Sequence, residues 1–146
     1  MNYILMSIRV PYARLILAGK KTLEIRKTRP NKTQGHHDLQ VLLYESKRDG
    51  GRGLIVGTFR CRAIHSLRKL DLQEVCDKAC LDNAELYQYA AATGRDIRDL
   101  WAWVVEEPVT FREPRSLCSL HVRCPPQSWQ RLTAQAALDA MTTEGH

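Results

Sequence analysis

Between Gly19 and Arg26 the chain reads Gly-Lys-Lys-Thr-Leu-Glu-Ile-Arg, and Lys20, Lys21, Glu24 and Arg26 carry charge. From Thr22 to Lys27 polar and apolar residues alternate, the period of a strand with one face on a core. Leu23 and Ile25 point one way; Thr22, Glu24 and Arg26 point the other. With the apolar face on the core, Glu24 and Arg26 project together on the far side, which in a small barrel with an end helix is a cleft. Three chemistries suit such a group. Lys20, Lys21 and Arg26 suit a phosphate. Glu24 suits the amino group on a base edge. Lys21 and Glu24 together suit proton transfer, the lysine as base and the carboxylate as shuttle. The same spacing also makes a cross-strand ladder of salt bridges, which is worth little. Spacing alone does not separate these readings.

The distribution of charge bears on the choice. The 146 residues hold 22 Lys+Arg against 16 Asp+Glu, a net +6. Residues 1–32 hold eight of those cations and a single acid, Glu24, so the rest of the chain is close to neutral. A basic block confined to one segment suits a phosphate-bearing partner, RNA or a nucleotide. A solvated basic face is the plainer alternative. Composition is that of one globular domain and excludes disordered, collagen-like and coiled-coil chains. The longest apolar run, Leu100 to Val105, is too short to span a bilayer, so no membrane role is expected. No signal-like apolar stretch opens the chain, which predicts a cytoplasmic protein.

The five cysteines, Cys61, Cys76, Cys80, Cys118 and Cys124, form no CxxC, and their odd number argues against a disulfide framework. Cys76 and Cys80 fall on an apolar helical stripe with Leu72, Val75 and Ala79 and read as core. His36 and His37 are adjacent in a polar loop, a poor arrangement for one metal. No metal site and no cofactor is expected.

The elements that must hold the octet follow from period and punctuation. Tyr3 to Ile8 reads as a strand. Pro11 opens a helix over 11–18, and Gly19 suits its left-handed stop. Leu39 to Tyr44 and Leu54 to Ile64 read as a hairpin around a Gly-rich turn. Asp71 with Glu74, and Asp82 with Glu85, mark helix starts for 72–80 and 83–93. Trp101 to Glu106, Val109 to Phe111 and Leu120 to Arg123 read as strands, and Gln127 to Met141 as an Ala-rich helix with a frayed tail after it. This order predicts an α+β fold, a small mixed β-barrel with helices closing its ends. Tyr12, Tyr44, Trp101 and Trp103 are the candidate stacking aromatics. Tyr12 falls on the apolar stripe of its helix and reads as packing. Ser7 and Ser46 lie near strand ends and could line the cleft.

Gly19-x-Lys21-x-x-Glu24-x-Arg26 resembles the G-x-K-x-x-E-x-R motif of the ASCH domain, a member of the PUA-like superfamily. Met6-Ser7-Ile8-x-x-Pro11-Tyr12-Ala13 looks like that family's first strand and helix. Val41 to Ser46 followed by Gly53-x-Ile55-Val56-Gly57 resembles its central hairpin, and Trp103, Phe111 and Pro114 its late strand pair. Pro125-Pro126-Gln127-Ser128-Trp129 resembles a closing segment of bacterial and phage members. The resemblance covers about residues 3–130, which makes 1–130 the domain and 131–146 a C-terminal helical extension. It implies a PUA-like barrel that binds RNA or a nucleotide in a cleft, with Ser7, Lys20, Lys21, Glu24, Arg26, Tyr44, Ser46 and Trp103 as candidate contacts. Some relatives are amidohydrolases acting on N4-acetylcytidine, and others are described as ribonucleases. The catalytic pattern of the amidohydrolase type, G-x-K-x-x-T-x-R, has threonine where this chain has Glu24. Lys21 and Glu24 are therefore the candidate catalytic pair of an enzymatic reading. A third reading is a regulator that binds a protein through its C-terminal helix.

Overall fold

The computed structural model describes residues 1–31 and 38–142. His36 and His37, and the tail beyond Thr142, lie outside the described residues. The order is β1 (Asn2–Ile8), α1 (Val10–Leu17), β2 (Leu23–Arg26), β3 (Leu39–Glu45), β4 (Leu54–Cys61), β5 (Ile64–Ser66), α2 (Leu72–Ala79), α3 (Asn83–Ala92), β6 (Trp101–Val104), β7 (Glu106–Arg115), β8 (Trp129–Leu132) and α4 (Ala134–Thr142). The α+β architecture matches the expectation. Among the described residues the strands form two sheets, β7-β4-β3-β1-β8 and β2-β6-β5. Within the larger sheet β1 and β3 run parallel, and every other neighbouring pair is antiparallel.

Side-chain alternation sorts these strands into three apolar clusters. Ile4, Met6 and Ile8 of β1, with Val41 and Leu43 of β3, meet Trp103 of β6 between the two sheets. Leu5 and Leu42, one position out of step, face the other way onto Ala136, Ala137 and Ala140 of α4. Leu23 and Ile25 of β2 pack with Val75, Cys76, Leu86 and Ala90 from α2 and α3. Thus the apolar face of β2 is covered by two helices, and its other face turns toward the space between the sheets.

Gly19 ends α1 at φ +78°, a conformation that costs glycine little. Lys20 and Lys21 then both donate backbone N–H groups to Leu15 O, at 2.9 and 3.0 Å, which tightens the entry into β2. The capping signals hold. Asp71 accepts from Glu74 N, and Asp82 and Glu85 cap each other's backbone reciprocally.

Several expectations change. Leu54 to Ile64 is not one strand: β4 ends at Cys61, and Ile64 opens β5 in the smaller sheet. Leu120 to Arg123 is not a strand: a 3-10 turn over Leu117–Leu120 ends at His121, which sits at φ +58°. Gln127 to Met141 is not one helix. Trp129–Leu132 pairs antiparallel with β1 across Tyr3–Met6, giving that strand a partner on its otherwise open side. Helix begins only after Thr133, whose Oγ1 accepts from Ala136 N at 3.1 Å. Position 130 therefore falls inside β8, and α4 lies on the same sheet as the rest of the chain. Cys80 is half-buried rather than core. It closes α2 at φ +56°, and its Sγ donates to Lys20 O at 3.4 Å. Among the described residues no helix is long and apolar enough to cross a membrane.

Candidate functional site

The face of β2 opposite the α2–α3 core carries the charged residues of the octet. Glu24 pairs in register with Trp103, and Arg26 with Trp101, so carboxylate and guanidinium share a face with the two indoles. Both enter the region where the sheets face each other. Glu24 holds a cation on each oxygen: Oε1 lies 3.4 Å from Lys21 Nζ, and Oε2 lies 2.8 Å from Arg26 Nη2. Arg26 Nε donates to the same Oε2 at 2.9 Å, a forked contact that fixes the plane of the guanidinium. The trio is almost sealed, with side-chain exposures of 2% for Lys21, 8% for Glu24 and 10% for Arg26.

Residues far along the chain complete the cage. Arg26 Nη2 donates to Ser7 O at 2.8 Å, and Nη1 to Ser128 O and Oγ at 3.3 and 3.2 Å. Ser7 Oγ in turn donates to Pro126 O at 2.6 Å, tying the Pro125-Pro126 segment to β1. Lys21 Nζ donates to Ala79 O at the end of α2, and it lies 5.1 Å from the ring centre of Tyr12, a cation–π contact. Ala79 O thus takes one of the three ammonium donors, and Glu24 balances the charge from 3.4 Å. Trp103 Nε1 donates to Thr28 O, Trp129 Nε1 to Thr28 Oγ1, and the two indoles meet edge to face at 5.7 Å.

Tyr12 flanks the trio, and Tyr89, also half-buried, packs with the α2–α3 cluster near the end of β2. Burial raises the Tyr12 hydroxyl above its ordinary value, and the carboxylates of Glu85 and, more weakly, Glu24 add to it. Burial likewise raises Tyr89, partly offset by Arg26 and by a backbone hydrogen bond at Lys27, while Glu24 pushes it further up. Both phenols therefore sit within the field of the Glu24 carboxylate. An arrangement of one fixed carboxylate, two fixed cations and one partly exposed aromatic ring, Tyr12, can hold a flat heterocycle by its edge and its face.

Of the residues expected from sequence, Lys21, Glu24, Arg26, Ser7 and Trp103 come together; Ser7 contributes its carbonyl, and Trp103 is fully buried as floor. Lys20 is exposed beside the trio. Tyr44 lies on the opposite face of the larger sheet, in the cluster covered by α4. Ser46 follows β3, where its backbone N–H donates to Ile8 O and its hydroxyl oxygen is buried with no partner among the described residues. Sequence reasoning missed Tyr89, Ser128 and Trp129. Only the Pro-Pro-Gln-Ser-Trp segment gave any signal for the last two. Two surface hollows lie elsewhere: one of about 360 Å³ beside Thr22, His65 and Glu74, and one of about 490 Å³ beside Arg14, Glu45 and Arg52.

With this geometry in place, comparison with known proteins is informative. The family model of the ASCH domain matches residues 6–115. Among curated proteins nothing matches. ASCH from Zymomonas mobilis is structurally similar, with a TM-score of 0.75 at 19% identity over 96% of this chain and 94% of that one. A single-residue variant of that protein gives 0.76 at 18% identity over 97% and 98%. The N-terminal domain of McrB from Staphylothermus marinus gives 0.60 at 10% identity over 96% and 93%. At such identities these likenesses bear on the fold alone.

Proposed function

The chain belongs to the ASCH domain family, a PUA-like fold family associated with RNA binding, and from that premise we propose that the Lys21–Glu24–Arg26 trio reads a nucleobase of RNA or of a nucleotide. The observation that carries this reading is the burial of three charges, with side-chain exposures of 2% to 10%. A buried ion cluster is often no more stable than well-packed apolar residues of similar size. Here Glu24 is desolvated, forked onto Arg26 and flanked by Tyr12, which is the preorganisation that recognition needs. Its carboxylate accepts from an exocyclic amino group while Arg26 holds it in place, Lys21 donates to a ring carbonyl, and Tyr12 stacks on the base. Lys20, exposed next to the trio, meets a phosphate.

The test is binding of nucleosides and short single-stranded RNAs to wild type and to Glu24→Gln. The amide keeps the volume and loses one acceptor, so selectivity for amino-bearing bases should fall by about 1–3 kcal/mol. Equal affinity for all bases in both proteins would overturn the reading.

The second reading is hydrolysis of an acyl group from a modified nucleoside, or cleavage of RNA. It is favoured by one contact, the 3.4 Å approach of Lys21 Nζ to Glu24 Oε1. In it Lys21 is the base and Glu24 the shuttle. Incubation with N4-acetylcytidine and with single-stranded RNA tests it; binding without turnover of either would eliminate it.

A further inference from the structure

Helix α1 separates two different environments. Tyr12 faces the trio, with Lys21 5.1 Å from its ring. On the other flank, Ala13, Arg14, Leu17 and Ala18 border the hollow of about 490 Å³ against β4 and β7. The helix sits close to β4 there: a Cβ on Gly57 would lie 2.8 Å from Leu17 Cδ2 and 2.3 Å from Val109 O. This close approach makes a firm apolar floor of Leu17, Val56 and Phe111.

The rim of that hollow is cationic. Arg14, Arg52 and Arg112 surround it, and Glu45 is the acid among its lining residues. Glu45 is fixed: its side chain is 8% exposed, Oε1 accepts from Arg52 N at 2.8 Å and Nε at 3.2 Å, and Oε2 accepts from Nη2 at 3.4 Å. The carboxylate therefore acts as a positioning group that holds the Arg52 guanidinium in one orientation. Arg14 makes no ion pair among the described residues. Arg14 and Arg52 beside the one lining carboxylate, Glu45, leave the hollow positive, and a rigid guanidinium fork matches phosphate oxygens.

We infer that the α1–β4–β7 hollow binds the phosphate backbone of the same single-stranded RNA whose base enters the Lys21–Glu24–Arg26 site. The inference rests on the base-reading role of that trio. A helix is about 10–12 Å across with its side chains, so a strand rising about 3.4 Å per stacked nucleotide passes from one flank to the other in roughly three nucleotides. The apolar floor takes the face of a ribose or base, and Arg14, Arg52 and Arg112 take the phosphates. The site reads no sequence, because phosphate contacts position a strand without specifying it.

The test measures binding of a short oligouridine as a function of salt for wild type, Arg14→Gln/Arg112→Gln and Glu24→Gln. Arg14 and Arg112 are exposed, so the double variant retains the fold, and a matched thermal melt verifies this. Each lost phosphate contact lowers the slope of log affinity against log salt by about 0.7 on a single strand, so the double variant should lose about 1.4 of slope. Its preference among bases should be unchanged. Glu24→Gln should show the converse, altered base preference with the wild-type slope. An unchanged slope in the double variant, with Glu24→Gln still altering base preference, overturns the inference and leaves the trio's role standing. No binding of any oligonucleotide or nucleoside by wild type overturns both. Inorganic phosphate serves as the second probe: if it perturbs the Arg14 and Arg112 guanidinium resonances while the oligouridine slope is unaffected by the double variant, the hollow takes free phosphate and the RNA-backbone assignment is wrong.

Discussion

Two sets of ion pairs in this protein use the same chemistry in opposite surroundings. Arg9–Asp49, Arg62–Glu107 and Lys78–Glu74 are close pairs at the surface, each with both partners substantially exposed. Lys21–Glu24–Arg26 is buried between the sheets, with side-chain exposures from 2% to 10%. Pairs of the first kind contribute about 0–1 kcal/mol. Charges of the second kind are taken out of water at a cost of several kcal/mol each before their attraction offsets it. Surface pairs can accumulate without consequence, whereas a buried trio persists against a continuing penalty and calls for a use beyond holding the fold. The basic segment of the sequence divides along the same line. Lys21 and Arg26 are interior, Lys20 and Lys27 are at the surface, and Arg29 lies over Trp101 at 4.1 Å.

The sharpest way to break the contrast is to remove one partner on each side. Arg26→Ala leaves the buried Glu24 carboxylate with Lys21 alone and removes the links to Ser7 and Ser128. It should cost about 3–5 kcal/mol in a urea or guanidinium titration. A loss below 1 kcal/mol would place the trio with the surface pairs.

A smaller effect comes from the edge of the cage. Trp129→Phe keeps most of the edge-to-face contact with Trp103 but removes the 2.9 Å hydrogen bond to Thr28 Oγ1. The expected loss is about 1 kcal/mol in the same titration. A neutral outcome would mean that β8 is held by its backbone ladder to β1 alone.

Glu45 stands between the two classes and adds a pH dependence. Burial alone would raise its carboxyl, but the side-chain and backbone hydrogen bonds of Arg52 outweigh this and leave it lowered. A lowered folded-state value contributes stability that is fully present above the range where an unfolded glutamate titrates. That contribution is lost as pH falls through the folded value. The stability difference between wild type and Glu45→Gln should therefore be flat at neutral pH and shrink in acid. A difference constant with pH would show that the Arg52 contacts do not depend on the charge. Arg9→Ala sets the lower end of the scale, with at most about 1 kcal/mol lost.

Cysteine chemistry gives a readout that needs no stability measurement. Burial pushes the Cys61 thiol up to about 12, whereas Cys118 and Cys124 are exposed. A thiol reagent at neutral pH should label Cys118 and Cys124 and spare Cys61 until the protein unfolds. Early labelling of Cys61 would mean that the space between the sheets opens readily.

What was legible in the sequence was local. The period of two in β2 sets Glu24 and Arg26 opposite Leu23 and Ile25, and the structure keeps that division because α2 and α3 cover the apolar side. Gly19 and the Asp82–Glu85 capping box speak for themselves for the same reason: the residues that decide them are neighbours. Ser128 closes the cage from 102 positions away, and no period connects it to Arg26. Tyr89 lies on a helix whose pattern reports only that Leu86 and Ala90 are buried. Trp129–Leu132 becomes a strand because β1 offers an unpaired side, which a reading of that segment alone cannot see. Tyr44 and Glu45 show the same limit, since alternation separates their faces without saying which face meets a ligand.

The central claim is that the buried trio serves recognition and not stability. Replacing it whole, as Lys21→Met/Glu24→Leu/Arg26→Met, tests this most directly, with denaturation and RNA or nucleoside binding measured on the same sample. An apolar replacement of a buried ion cluster is commonly neutral or stabilising by about 1–4 kcal/mol. The account predicts a protein at least as stable as wild type that no longer distinguishes bases. A stable triple variant that still binds with wild-type base preference would contradict it.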